Sequence, residues 1–125
     1  MIPAHSYKNL IVYQKAKNLT IDAIHYFATQ KTNQTNNIAI NQPIRALSSI
    51  GANIAEGYGR HYKKNYRQFI SIARGSSFES DYWLEILTET NPLSKQRFQE
   101  FAAVNDELSK MLTVMMKKME DKEST

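Results

Sequence analysis

Ile40, Ile44, Leu47, Ile50, Gly51, Ile54 and Tyr58 recur at intervals of mostly three and four residues, and Gly57 and Gly59 punctuate the end of the run. That period matches the turn of an α-helix, so these side chains share one face. The same periodicity runs through most of the chain, and no strand-like alternation competes with it. A chain that carries several apolar helix faces must bury them against one another, and this excludes most folds.

Four helices follow from the spacing. The first is expected from Asn9 to Ala28, with Leu10, Tyr13, Ala16, Thr20, Ala23, Ile24 and Phe27 on its apolar face. Ser6 and Asn9 are its candidate caps, because short polar side chains can accept from the free amides of a first turn. The Asn-, Thr- and Gln-rich stretch Thr29–Asn41 reads as a loop. The second helix is expected from Gln42 to Tyr58. Asn41 would cap it, Pro43 would fall in a first turn that needs no donor there, and Gly57 or Gly59 would close it in the left-handed conformation. The third is expected from Lys63 to Thr90 at near-heptad spacing: Tyr66, Phe69, Ala73, Ser76, Ser80, Trp83 and Leu87. Gly75 inside it costs about 1 kcal/mol relative to alanine, which close packing among Ala73, Ser76, Ser77 and Ser80 would offset. Asn91 and Pro92 stop it. Ser94 caps a fourth helix from Lys95 to Asp121, with Phe98, Phe101, Ala102, Asn105, Leu108, Leu112, Met115 and Met119 inward and a frayed tail over residues 122–125. Short connections on either side of the third helix imply one domain over residues 1–125, an all-α, antiparallel up-down-up-down four-helix bundle.

Charge is divided along the chain. From Met1 to Ala55, Lys8, Lys15, Lys17, Lys31 and Arg45 face Asp22 alone. From Glu56 to Phe78, five bases face Glu56 alone, and from Glu79 onward ten acids face six bases. Such a split suits an anionic partner or the self-association of unlike surfaces. The absence of cysteine removes disulfides, thiolate metal sites and a cysteine nucleophile. With no signal-like N-terminus and no apolar run of membrane-spanning length, the expected place of work is the cytoplasm, with no membrane partner.

The order of motifs resembles a known family. Asn9-Leu10-Ile11-Val12-Tyr13-Gln14-Lys15-Ala16 is followed by Gln42 with Arg45-Ala46, by Ser49-Ile50, and by Asn53-Ile54-Ala55-Glu56-Gly57-Tyr58-Gly59-Arg60. Phe69-Ile70 and Ile72-Ala73-Arg74-Gly75-Ser76-Ser77-Phe78-Glu79 close the set. The chain is similar in this to the four-helix bundle proteins encoded within intervening sequences of bacterial 23S ribosomal RNA genes. Ile44 stands where that family usually has Arg, and Asn36-Asn37-Ile38-Ala39-Ile40 replaces the latter part of a usual Phe-Pro-x-x-Glu-x-Tyr-Gly-Leu run. The resemblance implies a small helical protein that forms a ring, a homopentamer, with no catalytic activity. It also implies a distant likeness to the nucleic-acid-binding accessory protein of diversity-generating retroelements.

Several candidate sites can be weighed on the residues themselves. Asn53 and Glu56 are three apart and share a helix face. They form either a polar site or internal braces, with Glu56 paired to Arg45, Arg60 or Arg74; the scarcity of unpaired buried charge favours the braces. Glu79 poses the same choice on the third helix. A di-metal bundle needs Glu-x-x-His, yet Gly59, Tyr82, Thr88 and Pro92 follow Glu56, Glu79, Glu85 and Glu89 at that spacing. No metal, no cofactor and no catalytic residue is therefore expected, and no Gly-x-Ser-x-Gly elbow or phosphate-binding glycine loop contradicts this. Gly75, Ser76 and Ser80 can serve core packing or a subunit contact, and Met111, Met115, Met116 and Met119 a core or an interface.

The segment Gly57–Phe78 contains no acid. Arg60, Lys63, Lys64, Arg67 and Arg74 supply cations there, and Tyr62 and Tyr66 continue a four-residue step from Tyr58. Cations neutralise phosphates and tyrosine rings stack on unpaired bases. The same residues could equally form a solvated helix start with half-buried tyrosines. The expectation is a non-enzymatic homo-oligomer that binds RNA or DNA through this basic surface, the alternative an oligomeric scaffold for protein partners.

Overall fold

The structure is a computed structural model and describes residues 6–30 and 34–124. Its helices are α1 (Ile11–Ala28), α2 (Gln34–Tyr58), α3 (Lys63–Thr90) and α4 (Lys95–Ser124), with single 3-10 turns at Tyr7–Asn9 and Pro92–Ser94. Consecutive helices pack against one another, and α4 closes the square against α1. The expected antiparallel four-helix bundle is the architecture found.

Burial explains the arrangement. Val12, Leu19, Phe27, Leu47, Ile50, Ile54, Ile70, Leu84, Leu87, Phe98, Phe101, Leu108 and Leu112 form one continuous core. Burying a Leu, Ile or Phe side chain stabilises by about 1.5–3 kcal/mol, so these helices need no exceptional propensity to form.

The second helix begins far earlier than its sequence suggests. Gln34–Asn41 is helical where a loop was expected, Asn41 is an exposed interior residue and not a cap, and Pro43 lies inside the helix rather than in its first turn. Residues 31–33 of the expected loop lie outside the described residues. The physical reason is tertiary. Ala39, Ile40 and Ile44 pack against the core and Pro43 is fully buried. This burial overrides weak propensity and the backbone hydrogen bond that proline cannot donate.

Helix faces and ends differ in smaller ways. On α1, Val12 and Leu19 are buried while Ile24 is exposed. On α3 the buried set is Ile70, Ala73, Ser77, Ser80, Leu84 and Leu87; Ala73, Ser80 and Leu87 are inward as expected, whereas Tyr66, Phe69, Ser76 and Trp83 of the expected face are only partly buried. Ser6 caps the 3-10 turn by accepting from Lys8 N at 3.1 Å, and Leu10 opens α1 without a side-chain cap. Asn91 ends α3 as expected, donating through Nδ2 to the Leu87 carbonyl at 3.1 Å. Ser94 takes a hydrogen bond from the Tyr26 hydroxyl, and α4 runs past the expected Asp121 to Ser124.

The glycines are corrected too. Neither Gly57 nor Gly59 adopts the left-handed conformation expected of a closing glycine. Gly57 lies inside α2, where a Cβ would stand 2.6 Å from Phe69 Cβ, so its smallness lets α2 and α3 touch. Gly75 was expected to be packed closely. It is exposed, and a Cβ there would meet nothing within 4 Å.

Candidate nucleic-acid interface

Asn53, Glu56, Ser76 and Glu79 have distinct fates. Asn53 Nδ2 donates to the Ser49 carbonyl at 2.8 Å and to Ser49 Oγ at 2.9 Å, and Ser49 Oγ lies 2.8 Å from Ser76 Oγ on α3. These groups brace α2 against α3. Glu56 is exposed and pairs with Arg60 at 3.1 Å. Ser49 and Ser76 touch, so Glu56 is level with Phe69 and Glu79 with Ala46. The two carboxylates are thus about 15 Å apart along the bundle axis at 1.5 Å per residue. They do not converge on one site.

Hydrogen bonds between α3 and α4 determine what lies beside the basic start of α3. Buried Ser77 and Asn105 clasp each other: Ser77 Oγ donates to Asn105 Oδ1, and Asn105 Nδ2 to the Ser77 carbonyl, both at 2.8 Å. The helices run antiparallel from this clasp. Lys117 is twelve residues beyond Asn105, and Asn65 is twelve residues before Ser77, so Lys117 and Lys118 reach the level of Lys64. At the same end, the Tyr7 ring lies edge-on to Tyr58 with centroids 6.5 Å apart, which brings Lys8 to the end of α2. Among the described side chains, one end of the bundle therefore gathers Lys8, Arg60, Lys63, Lys64, Arg67, Lys117 and Lys118, together with the acids Glu56, Glu120 and Asp121.

Two helix N-termini and two C-termini share this end, so their dipoles largely cancel and side chains set its field. Lys63 and Lys64 open α3 and oppose its dipole by about 0.3–1 kcal/mol each, whereas Lys117 and Lys118 lie more than a turn inside the end of α4.

The expected contact residues separate into committed and available groups. Arg60 pairs with Glu56 and lies 4.7 Å from the Phe69 ring centroid. Arg74 donates to Thr113 Oγ1 at 2.8 Å and stacks on Phe78, about 10 Å along α3 from Arg67. It belongs to the α3–α4 contact and not to the basic end. Lys63 and Lys64 are exposed and make no ion pair among the described residues. Arg67 is partly exposed beside them.

The tyrosine ladder divides likewise. Tyr62 is 66 % exposed, with its ring 4.9 Å from His61. Tyr66 is turned inward against Gly57 and Tyr58. Burial, then the neighbouring Tyr58, pushes the Tyr66 hydroxyl above its ordinary pKa of 10.0. Tyr13, Tyr7, Tyr58 and Tyr66 form a chain of edge-to-face rings beneath the basic end. Of the expected stacking pair only Tyr62 presents its ring to solvent. The missed cations, Lys8, Lys117 and Lys118, lie far from the acid-free segment in sequence, and only helix order and register could have found them.

The family model described as 23S rRNA-intervening sequence protein matches residues 8–114. A similar solved structure is that of a protein with unknown function from the S23 ribosomal protein family, from Bacteroides thetaiotaomicron VPI-5482. It has a TM-score of 0.76 and 23% identity, and the match covers 86% of this chain and 99% of that one. At this identity it speaks for the fold. No curated protein matches significantly. No helix among the described residues is long and apolar enough to cross a membrane.

Proposed function

The chain belongs to the 23S rRNA-intervening sequence protein family, and on that premise we propose that it is a non-enzymatic homo-oligomer that binds RNA or DNA through the basic end of its bundle. The observation that carries this reading is the convergence of cations from three parts of the sequence. Lys8, the Arg60–Arg67 group and Lys117–Lys118 meet at one end, while the acids of the C-terminal half of α3 lie toward the other.

Lys63, Lys64, Lys117 and Lys118 would contact phosphates and release condensed counterions, a sequence-independent attraction that weakens steeply with salt. Tyr62, the exposed ring beside them, would stack on an unpaired base. A ring of copies, five by the family resemblance, would present the same end repeatedly and raise avidity without any new contact. The protein would do this in the cytoplasm, positioning or shielding nucleic acid without chemistry of its own.

Fluorescence anisotropy with labelled single- and double-stranded RNA and DNA over a salt series tests the reading. Binding that falls as salt rises is expected. No binding even at low ionic strength rejects it, and recovery of one stoichiometric protein partner after nuclease treatment would put a protein scaffold in its place.

A further inference from the structure

Two surfaces of this bundle carry exposed apolar groups and are opposite in charge. The first is a groove of about 200 Å³ between α1 and α2. Tyr13 and Ile21 form its wall on α1, and Gly51, Ala52 and Ala55 its floor on α2. Ile24, 43% exposed, continues the wall one turn on. Lys17 lines the groove, Lys8 borders an adjoining cleft that shares Tyr13 and Lys17, and Arg45 lies further along α2. No carboxylate lines either cleft, and these three cations make no ion pair among the described residues. Asp22, the lone acid of α1, lines a different cleft on the α4 side.

The second surface is the outer face of α3. Phe78 and Tyr82, 52% and 55% exposed, share a helix face with Glu85 and Glu89, at steps of four, three and four residues. Glu79 and Asp81 flank the two rings. All four carboxylates are exposed, without an ion pair among the described residues, and α3 carries no base after Arg74. This face is an acidic helix with an aromatic ridge, whose Phe78 end carries the Arg74 guanidinium 4.9 Å from the ring centroid. The groove is a basic-rimmed, apolar trough with a shallow floor of small side chains.

We infer that the α1–α2 groove of one copy receives the outer face of α3 from a second copy, with Phe78 and Tyr82 over the floor and Lys17 and Arg45 against Glu79, Asp81 and Glu85. This rests on the homo-oligomer part of the proposed function and names its contact. Different patches meet, so the contact is head-to-tail: the copy whose groove is filled keeps a free ridge, and the copy whose ridge is used keeps a free groove. Such contacts continue until a ring closes. Aromatic residues buried at the centre, within a rim of opposite charges, are the usual makeup of a stable interface.

The test uses two full-length variants altered at exposed positions, Ala52→Arg in the groove and Tyr82→Arg on the ridge, with circular dichroism to confirm the helical fold. Light scattering is expected to give a multiple of the 14.4 kDa chain mass for the wild type and the single-chain mass for each variant. Mixing the variants is the decisive step. The intact ridge of Ala52→Arg fits the intact groove of Tyr82→Arg, so a one-to-one pair at twice the chain mass is expected, and nothing larger. Variants that keep the wild-type mass overturn this contact while leaving the oligomer standing. If Ala52→Arg also keeps that mass but loses oligonucleotide affinity, the groove belongs to nucleic acid and the contact is again overturned. Two monomeric variants that fail to pair overturn the head-to-tail geometry. A monomeric wild type overturns the oligomer itself and leaves the groove to another occupant.

Discussion

Ser77 and Asn105 hold each other through two hydrogen bonds of 2.8 Å between α3 and α4, both residues at most 1% exposed. They are polar residues in an apolar core, and their pairing sets the register that brings Lys117 and Lys118 to the level of Lys64 along the bundle axis. Removing the Asn105 side chain strips Ser77 Oγ of its short acceptor and leaves it only the longer bond to the Asn105 carbonyl at 3.3 Å, while the Ser77 carbonyl loses its side-chain donor. Asn105→Ala is expected to lower stability by about 1–3 kcal/mol in urea unfolding. The double variant Ser77→Ala with Asn105→Leu, which removes both polar side chains, should recover a large part of that loss.

Gly57 and Gly75 should respond oppositely to alanine. At Gly57 the added Cβ would meet Phe69 Cβ at 2.6 Å, and α2 and α3 must separate to admit it. Thermal unfolding should show a loss of about 1–3 kcal/mol. At Gly75 the space is open and the backbone is ordinary helix, so alanine should stabilise by about 0.5–1 kcal/mol. Equal effects at both positions would contradict the packing described.

If nucleic acid binds at the basic end, Lys117→Ala with Lys118→Ala should weaken it as much as Lys63→Ala with Lys64→Ala. For every phosphate left without its lysine, the dependence of log K on log salt should flatten by about 0.7–0.9. Arg74→Ala, removed from that end and engaged with Thr113 and Phe78, should leave the slope unchanged. Tyr62→Ala should weaken single-strand binding by about 1–3 kcal/mol, while Tyr66→Phe should not. Anisotropy titrations at several salt concentrations read all four.

The partly buried tyrosines make stability depend on alkaline pH. Tyr13 is raised above its ordinary 10.0 by burial and then by Tyr7, Tyr66 by burial and then by Tyr58. As pH rises past about 10, the unfolded chain loses these protons before the folded one does. The unfolded state then binds fewer protons, so stability falls with rising pH until the folded pKa values are reached. Below that window both states are neutral and the two hydroxyls contribute no slope. Urea midpoints measured between pH 8 and 11 should fall at the alkaline end, and less so in Tyr66→Phe.

The sequence by itself determined the four helices, the all-α class, the end of α3 at Asn91 and the inward face of α4, because three- and four-residue apolar spacing is a local property. It also carried the family, through motifs spread along most of the chain. Tertiary structure decided the rest. The start of α2 depends on the burial of Ala39, Ile40 and Pro43, which outweighs a loop-like composition. Which tyrosine faces out depends on the closeness of α2 and α3 at Gly57. The basic end depends on an antiparallel register set by Ser77 and Asn105, which joins cations more than fifty residues apart in sequence. Helical periodicity reports which residues share a face, but only contact between helices decides what that face meets and which charges it gathers.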